Sequence, residues 1–263
     1  MVWDLLAPQL RQYLETLVPP RPAEMQAMEA YARETRFPIV GPAAGNFCYL
    51  LARLIRARRV FEMGSGFGYS TAWFARAVQE NGGGTVFHVV WDEELSRRAR
   101  KHLNTLGFED VVQYHVGEAV ETLSRAEGPF DLIFNDIDKD AYPKALPVIT
   151  EKLRPGGVLI VDNMFWQGRI FDDADRSATT QGVRDLTRMI SSDPGWISSI
   201  VPIRDGLLVA YRDGGNKMKK EGFQMAKKSR GGRMTAAKKR AAKSPGGRGR
   251  VKRRKAGQKI MKS

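Results

Sequence analysis

Residues 60–71 read VFEMGSGFGYST, and the reading of this stretch decides the fold. A short apolar run, Val60-Phe61, is broken by Glu62 and followed by Gly64, Gly66 and Gly68 at alternate positions. A helical stretch begins at Thr71. Strand, glycine turn and helix form the opening unit of a doubly wound nucleotide-binding sheet. Glycines there let a ligand approach the backbone where a side chain would collide with it. Glu62 narrows the choice of ligand. A phosphate-binding turn keeps its helix N-terminus free for the anion. A carboxylate at that place suits a ligand with a positive centre or hydroxyls. The competing reading is an ordinary tight turn between a strand and a helix.

Upstream lie three helical patterns. Trp3, Leu5, Leu6, Leu10, Tyr13, Leu14 and Leu17 fall at helical spacing over residues 1–18, and Pro19-Pro20 with Pro22 breaks the run. A second helix is expected over 23–35 and a third over 43–58. This lead-in is either a cap or a surface for dimer formation. Downstream, strands are expected at 85–91, 111–116, 130–135 and 158–161. Helices are expected at 93–106, up to Arg125, at 142–153 (closed by Arg154-Pro-Gly-Gly157) and at 179–191, with a polar loop over 166–178. Residues 196–202 and 207–211 form a closing pair of strands. Strands alternating with helices give a parallel α/β sheet of about seven strands, ending in an antiparallel hairpin.

The chain has 263 residues, with 42% hydrophobic content and no run of about eighteen apolar residues. The amphipathic N-terminus has no basic n-region, so neither a membrane segment nor a signal peptide is expected, and the composition fits a cytoplasmic protein. One cysteine, Cys48, excludes an intrachain disulfide and reads as a small core residue. The net charge of +14 is unevenly spread. Residues 214–263 hold 19 of the 43 Lys and Arg residues and one acid, Glu221, whereas residues 1–213 hold 24 basic and 28 acidic residues. Residues 1–213 therefore read as a mildly acidic domain, of which 1–42 is the helical lead-in. Residues 214–263 read as a basic, low-complexity tail too poor in apolar residues to fold alone, and expected to be disordered. A charge block of this size binds nucleic acid or another polyanion without base specificity. Alternatively it is a solubilising extension.

In such sheets the ligand lies beyond the carboxyl ends of the strands. Three strand ends carry unusual polar groups: Glu62 with its glycines, Asp136 to Asp140, and Asp162-Asn163. An acid beside the glycine turn favours S-adenosylmethionine (SAM) over a dinucleotide. Asp136, Asp162 and Asn163 together would offer three hard oxygen donors suited to Mg²⁺ rather than zinc. The alternative is that the acids cap helices and that Asp162-Asn163 is a turn. Lys139, three residues after Asp136, could accept a proton if its charged form were disfavoured by a nearby cation and by burial. Otherwise it is a surface lysine paired with an aspartate.

Four motifs in order, VFEMGSGFGYST, FDLIFNDIDKDAY, LRPGGVLIVDN and PIRDGLLVAYR, resemble the cation-dependent O-methyltransferases of the catechol and caffeoyl-CoA type. The resemblance spans roughly residues 8–212. It implies a Rossmann-like seven-stranded sheet, SAM as methyl donor and a homodimer. It implies Asp136, Asp162 and Asn163 as ligands of a divalent cation, Mg²⁺ first. It implies Lys139 as the base acting with Asp136 on a small, hydroxylated, catechol-like substrate. Val40, Glu62, Gly64, Ser70, Glu118, Ala119 and Asp136 would line the SAM site. The pattern departs from the family at the end of the second strand. Val90 stands where an acid usually holds the ribose hydroxyls, leaving Asp92 to take over or the contact to be lost, at about 1.5–3 kcal/mol. Trp166, Tyr142 and Phe165 could wall an aromatic substrate, or simply pack. Two further readings stand beside the first. One is O-methylation of a hydroxylated nucleoside in RNA delivered by the tail. The other is a non-catalytic nucleic-acid-binding protein on a methyltransferase scaffold.

Overall fold

The computed structural model describes residues 8–214. The readings of 1–7 as the start of a helix and of 215–263 as a basic tail lie outside the described residues. Eight helices are described: α1 Pro8–Thr16, α2 Ala23–Thr35, α3 Gly41–Leu54, α4 Tyr69–Glu80, α5 Glu93–Thr105, α6 Ala119–Arg125, α7 Tyr142–Lys152 and α8 Ala178–Ser192. Seven strands accompany them: β1 Arg59–Met63, β2 Thr85–Val90, β3 Val112–Val116, β4 Phe130–Asn135, β5 Leu153–Val161, β6 Trp196–Val201 and β7 Leu207–Arg212. They form one sheet in the order β3-β2-β1-β4-β5-β7-β6. The first five are parallel, and β7 runs antiparallel to both β5 and β6. The chain leaves β1 toward β2 and returns to lay β4 on its other side. This reversal opens a crevice at the carboxyl ends of β1 and β4.

Alternation along the strands divides the core between two faces. Val60, Val86, Leu132, Phe134 and Ile160 pack against Trp73 and Phe74 of α4, Ala99 and Leu103 of α5, and the buried residues of α2 and α3. Phe61, Met63, Val89, Ile133 and Val161 pack against Leu123 of α6, Tyr142 and Ile149 of α7, and Leu186 of α8. No described helix is long and apolar enough to cross a membrane.

Three boundaries differ from expectation for local reasons. Helix α3 stops at Leu54, not at 58, because Arg56 turns into the left-handed region at φ 52°. Strand β5 begins at Leu153, so Arg154-Pro-Gly-Gly157 does not close α7 but runs within the strand. Its register against β4 shifts between Phe130 and Leu132, and Arg154 Nε is tied to Asp131 Oδ1 at 2.6 Å. The polar loop after Phe165 contains a 3-10 segment, Trp166–Phe171. Leu10 and Tyr13 of α1, and Leu17 just after it, are exposed, while Leu14 is half-buried.

Candidate active site

The turn after β1 is held from both sides. Ser65 N donates to Val89 O at 2.9 Å, and Val89 N donates to Ser65 Oγ at 2.9 Å, tying the turn to β2. Gly64 has φ +86°, and a Cβ there would lie 2.4 Å from the carbonyl oxygen of Asp136. A Cβ on Gly68 would lie 3.0 Å from the Ala99 methyl of α5. The glycines are required for a second reason, whatever ligand approaches the turn. At these two positions the protein's own backbone and helix packing exclude a side chain.

Over this turn lies a cleft of about 490 Å³ at the carboxyl ends of β1, β2 and β4. The loop between α2 and α3, residues 37–40, forms one wall. Val40, Gly64, Ser70 and Ala119 line one part of it, and Asp136, Lys139, Asn163 and Trp166 the other. Sequence positions 40 to 166 are thereby brought onto one surface.

Three of the candidate residues are placed differently. Glu62 is fully buried beneath the turn and presents no carboxylate to the cleft. It accepts a hydrogen bond from Thr71 Oγ1, which also meets His88 Nδ1 at 3.0 Å, while Glu62 Oε1 has no partner. Burial drives its pKa up to about 7, against the opposing pull of the nearby Ser70, Thr71 and Ser65 hydroxyls, and Asp136 adds to the rise. The same burial holds His88 neutral, with its pKa down to about 3. Glu118 is the N-cap of α6, accepting from Val120 N at 2.9 Å and from Glu121 N, so its carboxylate is engaged in the helix end while Ala119 faces the cleft. Asp92 is the N-cap of α5, accepting from Leu95 N at 2.9 Å, and is exposed. It does not replace the missing acid: Val90 lines the cleft at the end of β2, followed by the exposed Trp91. Of the three candidate wall aromatics, only Trp166 lines the cleft. Tyr142 is fully buried and donates to the Asp162 carbonyl at 2.9 Å.

The Asp136 and Lys139 end of the cleft is an array of acids and cations. Lys139, 8% exposed, donates from Nζ to Asp136 Oδ1 at 2.8 Å and to the Ile137 carbonyl at 3.1 Å. Its ammonium also lies 5.5 Å from the centre of the Trp166 ring. Burial raises the Asp136 pKa, the Asp162 charge raises it further, and Lys139 and Arg204 oppose the rise. Asp162, 1% exposed, accepts the Asn163 backbone N–H at Oδ1 (2.7 Å) and Arg204 Nη1 at Oδ2 (2.6 Å). Asn163 Nδ2 donates to Asp205 Oδ2 at 3.1 Å, and Gln167 N donates to Asp205 Oδ1 at 2.8 Å. In the sequence Arg204 and Asp205 stand only between the two closing strands, within the fourth motif, with no role of their own. The pairing of Arg204 with a strand end 42 residues away was beyond any local signal.

The implied divalent cation can be tested against this arrangement. Both oxygens of Asp162 accept hydrogen bonds, one of them from the Arg204 guanidinium, whose charge also interacts with Asp136, and one oxygen of Asp136 is held by Lys139. As folded, Asp136, Asp162 and Asn163 do not fit a metal unless Arg204 moves away.

Residues 23–213 match the model of a family described as O-methyltransferase. A catechol O-methyltransferase of Mycobacterium tuberculosis is 35% identical over 191 residues, covering 72% of this chain and 86% of that protein. A catechol O-methyltransferase of Niastella koreensis is 32% identical over 158 residues, 59% of this chain and 71% of that protein. Among solved structures, the O-methyltransferase TomG of Streptomyces achromogenes, in complex with SAM, superposes with a TM-score of 0.71 at 28% identity. It covers 78% of this chain and 96% of that one.

Proposed function

This chain belongs to the O-methyltransferase family and is a SAM-dependent O-methyltransferase, and on that premise we propose that it methylates a hydroxyl of a small, catechol-like substrate. The observation that carries the reading is the continuity of the cleft. One cavity runs from Val90 and Ala119, across the glycine turn, to Asp136, Lys139 and Trp166. SAM lies along Val40, Gly64, Ser70, Ala119 and Asp136, with its methyl directed at the Lys139 end. Glu62 acts by bracing the turn from beneath through its bond with Thr71, and Glu118 acts by fixing the start of α6.

The acceptor hydroxyl sits against Lys139 and the Trp166 ring. Lys139 Nζ, held between Asp136 Oδ1 and the Ile137 carbonyl, is positioned as the base and acts from its deprotonated form. The Lys139 amine then takes the hydroxyl proton. The oxygen attacks the methyl carbon as the carbon–sulfur bond breaks, and the electron pair remains on sulfur, giving S-adenosylhomocysteine. The protein contributes positioning and fixed charge. No step is routed through a divalent cation, since Asp162 and Asp136 are engaged with Arg204 and Lys139.

Calorimetric titration of SAM and transfer of a labelled methyl group to pyrocatechol test the reading. Lys139→Ala is expected to bind SAM as the parent does and to lose about 10²-fold or more in turnover. Absence of SAM binding, or an unchanged turnover in Lys139→Ala, refutes it. The basic composition of residues 214–263 favours RNA as a second class of acceptor. Methyl incorporation into bulk RNA that disappears on deletion of those residues would support that reading.

A further inference from the structure

Resting on the reading of this cleft as a methyl-transfer site, we propose that the Arg204 guanidinium is the resident cation of its substrate end. It stands where a divalent metal would sit, and it docks an acceptor that carries two neighbouring oxygens. Asp162 is almost completely buried, and a carboxylate removed from water needs a charged partner. Arg204 is that partner, at 2.6 Å. Asp136 and Asp205 also bear on the guanidinium and, with Asp162, outweigh the effect of burial and strengthen its hold on its proton. Two side-chain cations, Lys139 and Arg204, thus meet three aspartates, and a metal ion would have to displace the guanidinium from Asp162.

Arg204 is not a loose surface side chain. Its turn is pinned to the loop after β5 by Phe165 N donating to the Asp205 carbonyl at 2.8 Å, and by Gln167 N and Asn163 Nδ2 donating to the Asp205 carboxylate. The side chain is 30% exposed, and it lines the cleft. A guanidinium offers five N–H donors in a planar fork. With Nη1 on Asp162, the remaining edge can grip a vicinal pair of oxygens, or a carboxylate beside a hydroxyl, in bidentate fashion. Arg204 keeps its proton throughout. It stabilises the developing oxyanion while Lys139 takes the hydroxyl proton and the methyl passes from sulfur to oxygen.

The test uses Mn²⁺ as the probe, with the full chain. Free Mn²⁺ is followed by electron paramagnetic resonance, and SAM binding is followed by calorimetry. The parent protein is expected to bind no Mn²⁺ at this site, and its methyl transfer to pyrocatechol is expected to be equal in Mg²⁺ and in chelator. Arg204→Ala, which frees Asp162 Oδ2, is expected to gain Mn²⁺ affinity by at least tenfold. Arg204→Lys is expected to gain little. Mn²⁺ binding by the parent protein that Asp162→Asn abolishes would overturn the proposal, and so would Arg204→Ala retaining SAM binding without gaining Mn²⁺. The parent measurement decides even if Arg204→Ala does not fold. Failure of SAM binding by the parent would instead count against the methyl-transfer reading, since the Mn²⁺ signal is read without turnover.

Discussion

Gly64 is where the turn after β1 and the end of β4 are pressed together, and Gly64→Ala measures that contact. Two costs apply. At φ +86° an alanine occupies the left-handed region, a cost of about 1–2 kcal/mol. Its Cβ would also lie 2.4 Å from Asp136 O and 2.9 Å from Asp136 C. Relief to ordinary contact near 3.5 Å requires a movement of roughly 1 Å. The obstacle is backbone that cannot rotate away. Asp136 N is already bonded to Met63 O at 2.9 Å, and β1 and β4 are paired up to Met63 and Asn135. Overpacking of this kind adds about 1–3 kcal/mol, for a total loss of roughly 2–5 kcal/mol. Gly107→Ala is the control: φ is +76°, but no atom lies within 4 Å of its Cβ, so only the conformational cost of about 1–2 kcal/mol applies. Urea unfolding gives both stabilities, and SAM calorimetry gives the consequence for the site. Gly64→Ala should be the less stable and should bind SAM at least tenfold more weakly, while Gly107→Ala binds as the parent does. Equal stabilities and unchanged SAM affinity in the two variants would refute the steric account of the turn.

Two further predictions concern charge around the same turn. Val90→Glu places a carboxylate at the end of β2, where Asp92 does not reach because it caps α5; SAM should bind more tightly by about 1.5–3 kcal/mol, and unchanged affinity by calorimetry would mean that no hydroxyl of the cofactor lies there. Glu62 keeps its proton in the folded state up to about pH 7, whereas its ordinary value is 4.5, so its contribution to stability is complete below about pH 4.5 and is lost as pH rises through 7. Glu62→Gln should therefore gain stability relative to the parent by about 3 kcal/mol between pH 5 and pH 8, and parallel unfolding curves for the two proteins across that range would show that Glu62 does not titrate there.

The alternation of strands and helices, the glycine turn and the polar strand ends are legible in the chain alone, because each is written in neighbouring residues. Apolar periodicity distinguishes a strand from a helix within a few positions, and a strand end is known once the strand is known. That is why β1, β4 and their acids fall where the pattern puts them. The same local logic misjudged residues 153–157, where a proline and two glycines look like a helix stop but lie in a strand paired with β4. Only the tertiary structure decided what each polar side chain does. Glu62 and Glu118 match the motif by position, yet one is sealed beneath the turn and the other is engaged in a helix cap. Arg204 lies in a hairpin turn, and it reaches Asp162 only because β7 lies beside β5. Burial and charge pairing depend on residues far apart in the chain, and no local pattern encodes them.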